Sequence, residues 1–140
     1  MKLLGKDKTL LVRDWTTEAG LRARLVFTMC EFFCGYVAVP KEHPFHGNEA
    51  AYEDSGEYIT DEVRKLEVHG GITWCDSNTP PDFEDEGLWW FGFDCRHSGD
   101  LKWGETDHGL YGGATFKDEN YVIAECERLA RQIADWTPSL

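Results

Sequence analysis

Basic residues are scarce in this sequence. Fourteen Lys and Arg stand against 26 Asp and Glu, a formal net charge of −12 over 140 residues. Duplex nucleic acid is bound through clustered Lys and Arg that neutralise phosphates, so that class of partner is not expected. Anionic membrane surfaces are disfavoured for the same reason. A small phosphate-bearing ligand passes this test, because a few local donors outweigh a global field. No apolar run approaches the roughly 20 residues of a membrane span. The opening "MKLLGKDKTLL" interrupts each short apolar run with a charge, so no signal peptide is expected. The five cysteines contain no CxxC pair, which removes the zinc-ribbon pattern, and their odd number and loose spacing suit reduced thiols in a cytoplasm. P-loop, GxGxxG and HExxH motifs are absent.

Aromatic residues are what the chain has in plenty, at 14% with six Trp and eight Phe. Such side chains anchor cores or line ligand pockets. The length suits one domain, residues 1–140. Residues 9–15, 21–28 and 32–39 read as strands, the second with a period of two that sets Leu21, Ala23, Leu25 and Phe27 against Arg22, Arg24 and Val26. "KLEVH" at 65–69 and "GITWCD" at 71–76 read as two strands broken by Gly70 and Gly71, and "LWWFGFDC" at 88–95 as another. Residues 57–64 suit a short helix or an edge, and 77–87 and the glycine-rich 96–117 suit loops. Val122, Cys126, Leu129, Ile133 and Trp136 form one apolar stripe, which predicts a helix capped by Asp118 and closed by Pro138. The fold class is α+β, a mainly antiparallel sheet with the C-terminal helix on one face.

Polar residues gather where strands end: His43 and His46 in "KEHPFHG", His69 and Thr73 in "VHGGIT", and Asp94, Arg96, His97 and Asp100 in "FDCRHSGD". If the strands ending at Val39, Val68 and Asp94 lie side by side, these groups converge. With Trp90 as a stacking face and Arg96 as a phosphate donor, they form a candidate pocket of His43, His46, His69, Thr73, Trp90, Asp94, Arg96, His97 and Asp100. Trp74, Trp89, Trp103 and Tyr36 are further stacking faces and Lys102 a further donor. The expected ligand is small and nucleotide-like. The composition calls for no cofactor. Zinc is the metal these residue types suit, with His43, His46, His69 and His97 as candidate ligands. The period of a strand puts Trp89, Phe91, Phe93 and Cys95 on one face and Trp90, Gly92 and Asp94 on the other. Cys95 then reads as a buried small hydrophobe rather than a nucleophile paired with His69 or His97.

Four segments in order resemble a family of small, mostly uncharacterised bacteriophage proteins: "CGYVAVPKEHPFHG", "EVHGGITW", "WWFGFDCRHSGD" and "YVIAECERLARQI", over about residues 34–134. The resemblance implies a provenance, an accessory protein in the host cytoplasm during infection, and a counter-defence role. Three functions then compete. The first is a binder that sequesters a nucleotide-derived signal. The second is a metal- or histidine-dependent phosphodiesterase that cleaves it. The third is an inhibitor that presents acidic surface, including residues 82–86, to a host defence protein. A homo-oligomer with its site at the interface is compatible with each.

Overall fold

The computed structural model describes residues 3–4, 9–47, 61–80, 83–84, 87–97, 99–101 and 115–136. Lys102, Trp103, His108 and Pro138 lie outside them. Six strands form one antiparallel sheet: β1 (Leu3–Leu4), β2 (Leu10–Thr16), β3 (Arg22–Phe27), β4 (Phe33–Pro40), β5 (Trp74–Asp76) and β8 (Leu88–Asp94), in the order β1-β2-β3-β4-β8-β5. Two small pairs lie apart from it: β6 (Asn78–Thr79) with β7 (Phe83–Glu84), antiparallel, and β9 (Asp100–Leu101) with β10 (Thr115–Phe116), parallel. The helices are α1 (Asp61–Arg64) and α2 (Glu119–Asp135). The α+β reading holds.

The predicted stripe is what seats α2. Val122, Cys126, Leu129 and Ile133 are each fully buried against Ala23, Leu25, Val37, Phe91 and Phe93 of the sheet. Each fully buried aliphatic side chain of this size stabilises by roughly 1.5–3 kcal/mol. Asp118 caps the helix as expected, its Oδ1 accepting the Tyr121 N–H at 2.9 Å. Gly35 and Cys126 meet at the tightest point of this interface. A Cβ on Gly35 would stand 2.7 Å from Cys126 Sγ and 2.6 Å from the Phe93 ring.

The opposite face of the sheet differs from the sequence reading. Arg24 and Val26, assigned there to a polar face, are both buried, Val26 in a second cluster with Leu11, Cys34, Tyr36, Ala38 and Trp90, and Arg24 over the Trp90 ring. Arg24 tolerates burial because its guanidinium is satisfied. It donates to Asp14 Oδ2 at 3.0 Å and to Thr79 Oγ1 at 2.9 Å, and it lies over the Trp90 ring at 4.5 Å. Thr79 belongs to the segment read as pure loop, and is itself buried. The expected strand at 65–69 is also absent. Its backbone bonds to helix side chains instead: Gln132 accepts from Glu67 N at 2.8 Å and donates to Glu67 O at 2.7 Å, and Glu125 accepts from His69 N at 2.8 Å. An amide side chain offers the same donor and acceptor as a strand neighbour, so an alternating sequence is paired without joining the sheet.

Overpacking at the interface between sheet and helix sets the first prediction. Gly35→Ala is expected to destabilise the fold by about 1–3 kcal/mol, read as a lowered urea midpoint with unchanged slope.

Candidate functional site

The register of β4 on β8 decides which polar segments meet. Cys34 pairs with Asp94 and Pro40 with Leu88, so the two strands end at opposite edges of the sheet. Six positions at about 3.3 Å place the loop after β4 roughly 20 Å from the loop after β8. His43 and His46 therefore do not join the other candidates. Phe45 N–H donates to His43 Nδ1 at 3.0 Å, which leaves Nε2 protonated and donating to Ile133 O at 3.0 Å, at the C-terminal end of α2. The His46 ring faces Trp89 at 5.9 Å, and its Nε2 is buried without a hydrogen-bond partner among the described residues. Trp90, proposed as a stacking face, is fully buried beneath Arg24. Of the other proposed faces, Tyr36 is buried, and Trp74 packs edge-on to it and donates its indole N–H to Asn78 O.

The remaining candidates do converge, beside the N-terminal turns of α2. At their centre is Asp100, on β9, with its carboxylate 1% exposed. His69 Nε2 lies 2.7 Å from Asp100 Oδ2 and 3.0 Å from Oδ1. The His97 amide donates to Oδ2 at 3.0 Å, and Lys117 Nζ stands 3.2 Å from Oδ1. Burial opposes ionisation of this carboxyl. The bonds from His69, the His97 amide and Lys117 outweigh it and hold Asp100 below the ordinary carboxylate range. Arg96 ties the same residue through its carbonyl at 2.9 Å.

An ionised Asp100 fixes the proton on His69 Nε2. In the neutral ring Nδ1 then presents a lone pair, 2.9 Å from Tyr121 Oη. Partial burial, and after it the Glu125 carboxylate, push the Tyr121 phenol above its ordinary value, so it retains its proton and donates to His69. The result is a chain, Tyr121 O–H to His69 and His69 to Asp100. It is anchored in the interior at Asp100 and open at Tyr121, which is 38% exposed.

His97 forms the second half of the site, its ring centroid 6.0 Å from that of His69. Its Nε2 stands 3.0 Å from Asp94 Oδ1, without the alignment of a hydrogen bond, and Thr73 Oγ1 donates to the same Asp94 oxygen at 3.4 Å. The structure accounts for the first glycine after His69, Gly70. It has φ +72°, and a Cβ there would fall inside the His97 ring. The two histidine loops close on each other only because this position has no side chain.

Three contributors escaped the sequence reading. Tyr121 lies one helical turn before Glu125, and both reach the His69 loop. Their i, i+4 spacing on the polar shoulder of α2 was a usable signal. Lys117 carried none. Cys95 is buried as expected, and burial, with the Asp100 charge behind it, pushes its thiol up to about 12. Cys34 and Cys126 are raised further, chiefly by burial. None of these three is an activated nucleophile. Among the described residues no group of three or more His, Cys, Asp and Glu side chains is arranged to hold a metal, and the proposed zinc set is split between two ends of the sheet.

Two outcomes follow. Because Asp100 titrates below the unfolded aspartate value of about 3.9, its contribution is fully present above that pH. It is lost as pH falls toward the folded-state value. Urea midpoints of the wild type and Asp100→Asn are expected to differ at neutral pH and to draw together below about pH 4. Gly70→Ala is expected to displace the His97 ring and cost about 1–2 kcal/mol at a positive-φ position, seen as changed His97 imidazole resonances and a lower unfolding midpoint.

No helix among the described residues is long and apolar enough to cross a membrane. No protein-family model, curated protein or solved structure matches the chain, so the site is read from its own geometry.

Proposed function

We propose that this protein binds and sequesters a small nucleotide-derived molecule at the His69–His97 cluster. In this reading it is a phage-encoded accessory protein that removes a nucleotide immune signal in the cytoplasm of the host. The observation that carries the binding reading is the chain from Tyr121 through His69 to buried Asp100. Its inner end is satisfied by two further donors, the His97 amide and Lys117, and Arg96 fastens the Asp100 backbone, so the outer groups are held in place before any ligand arrives. A preordered site loses little side-chain entropy on binding. The rim carries donors that suit a phosphate ester, the exposed Arg96 side chain and the partly exposed His97 ring.

Holding is favoured over cleaving because none of the three buried thiols is activated and the described histidines do not assemble a metal set. One observation favours a histidine-dependent phosphodiesterase as the second reading. A neutral imidazole accepting a phenolic proton, oriented by a carboxylate, is the arrangement of a general base.

The deciding experiment is calorimetric titration of the full chain with a panel of cyclic nucleotides and ADP-ribose derivatives, with mass spectrometry of the recovered ligand. Saturable binding of an unchanged molecule is expected, weakened at least about tenfold in His69→Ala. An altered mass establishes the phosphodiesterase. Absence of heat across the whole panel sinks the binding reading.

A further inference from the structure

We infer that oxyanion binding at this site is coupled to uptake of one proton by His69, with Tyr121 as the residue that turns that proton into ligand preference. The inference rests on the binding reading above and names the ligand class and its regulation.

The argument follows from hydrogen bookkeeping around one ring. Asp100 is an acceptor from both His69 and the His97 amide, so His69 Nε2 always carries a proton. While His69 is neutral, its Nδ1 is an acceptor and Tyr121 must point its only O–H at it. Tyr121 Oη then turns lone pairs toward solvent, which repel an anion. When His69 is protonated, Nδ1–H becomes the donor and Tyr121 Oη the acceptor. The phenolic hydrogen is released and can rotate outward. One proton thus converts the exposed end of the chain from acceptor to donor and adds a positive charge behind it. Both changes favour an oxyanion, so the anion and the proton bind cooperatively by linkage.

The charges that face His69 permit the change. From β9, the Asp100 carboxylate contacts the ring directly, with Lys117 on its far oxygen. From α2, Tyr121 contacts Nδ1, and Glu125, itself held by Arg128, contacts the His69 backbone. From the loop after β8, His97 stands opposite the ring with Asp94 behind it, and Arg96 is fastened to the Asp100 carbonyl. The buried carboxylate accepts from an imidazole or an imidazolium through the same Nε2–H, so protonation rearranges only the Tyr121 hydroxyl. Proton transfer here is complete in itself: Nδ1 gains a proton from solvent, no covalent bond to carbon or phosphorus changes, and Tyr121 remains a phenol.

Two measurements test the inference on the full chain. Long-range proton–nitrogen correlation of the imidazoles is expected to show neutral His69 with Nε2 protonated and Nδ1 bare. The opposite tautomer overturns it. Calorimetry is then run with cyclic adenosine monophosphate and with sulfate, anions whose charge is constant between about pH 5.5 and 8.5, the range where histidine titrates. Repeating it in buffers of different ionisation enthalpy counts the protons. Uptake approaching about one proton per anion is expected, with affinity rising up to about tenfold per unit fall in pH. Tyr121→Phe, which keeps the ring and removes the hydroxyl, is expected to lose most of that rise. Full retention of the rise in this variant overturns the role given to Tyr121. Binding indifferent to pH overturns the coupling and leaves the binding reading standing. No binding of either anion overturns the coupling, while the binding reading stands or falls on the wider nucleotide panel.

Discussion

The seating of α2 on the sheet is the constraint on which the rest depends. Its apolar stripe packs on one face of β3, β4 and β8, with Gly35 allowing the helix to come within contact of the strand at Cys126. Its polar shoulders then act as fixtures. Glu127 accepts from Trp15 Nε1 at 2.9 Å and from the Glu18 amide at 3.0 Å, which fastens the turn between β2 and β3. Gln132 and Glu125 hold the segment that leads to His69. Tyr121 meets His69 itself. A helix is stiff over this distance, so one apolar contact surface sets the positions of several loops together.

The site obeys the usual rule for buried polar groups. Asp100 is removed from water, and every described contact it makes is one that favours its charge. The cost of burying the carboxylate is offset by donors from three different segments, so those segments must be in place before Asp100 is comfortable. The histidine loops are thereby specified by electrostatics as much as by packing. Arg24 performs the matching task on the other face of the sheet, where Asp14, Thr79 and the Trp90 ring let a guanidinium sit in the interior. The two buried charges have opposite signs and separate surroundings, and each orders a short strand pair outside the main sheet: β9 with β10 at Asp100, β6 with β7 at Thr79.

Much of this architecture could be read from residue order. The period-two split of "WWFGFDC" put Phe91, Phe93 and Cys95 on one face and Trp90 on the other, as the structure has them, and the structure shows the first face to be the one under the helix. The helix, its Asp118 cap and its buried stripe followed from spacing alone. Gly70 and Gly71 were legible as a break in the chain, and the structure gives Gly70 its cause, the His97 ring. Other assignments failed for identifiable reasons. The alternation at 65–69 was real but paired with helix side chains. Arg24 looked like surface because a sequence does not show which carboxylate, hydroxyl and indole will surround a cation. His43 and His46 were grouped with His69 because all three follow strands.

Local periodicity, capping and turn chemistry belong to neighbours in the chain, and these the sequence determined by itself: the strands at the core of the sheet, the amphipathic helix and the division of β8 into two faces. Which strand ends share an edge depends on strand direction and register, and those are set by pairings between residues far apart in sequence. The antiparallel register of Cys34 with Asp94 and Pro40 with Leu88 sent two histidines to one end of the sheet and two to the other. The same long-range packing brought Tyr121 and Lys117, unremarkable in sequence, to the carboxylate and imidazole that give them a role.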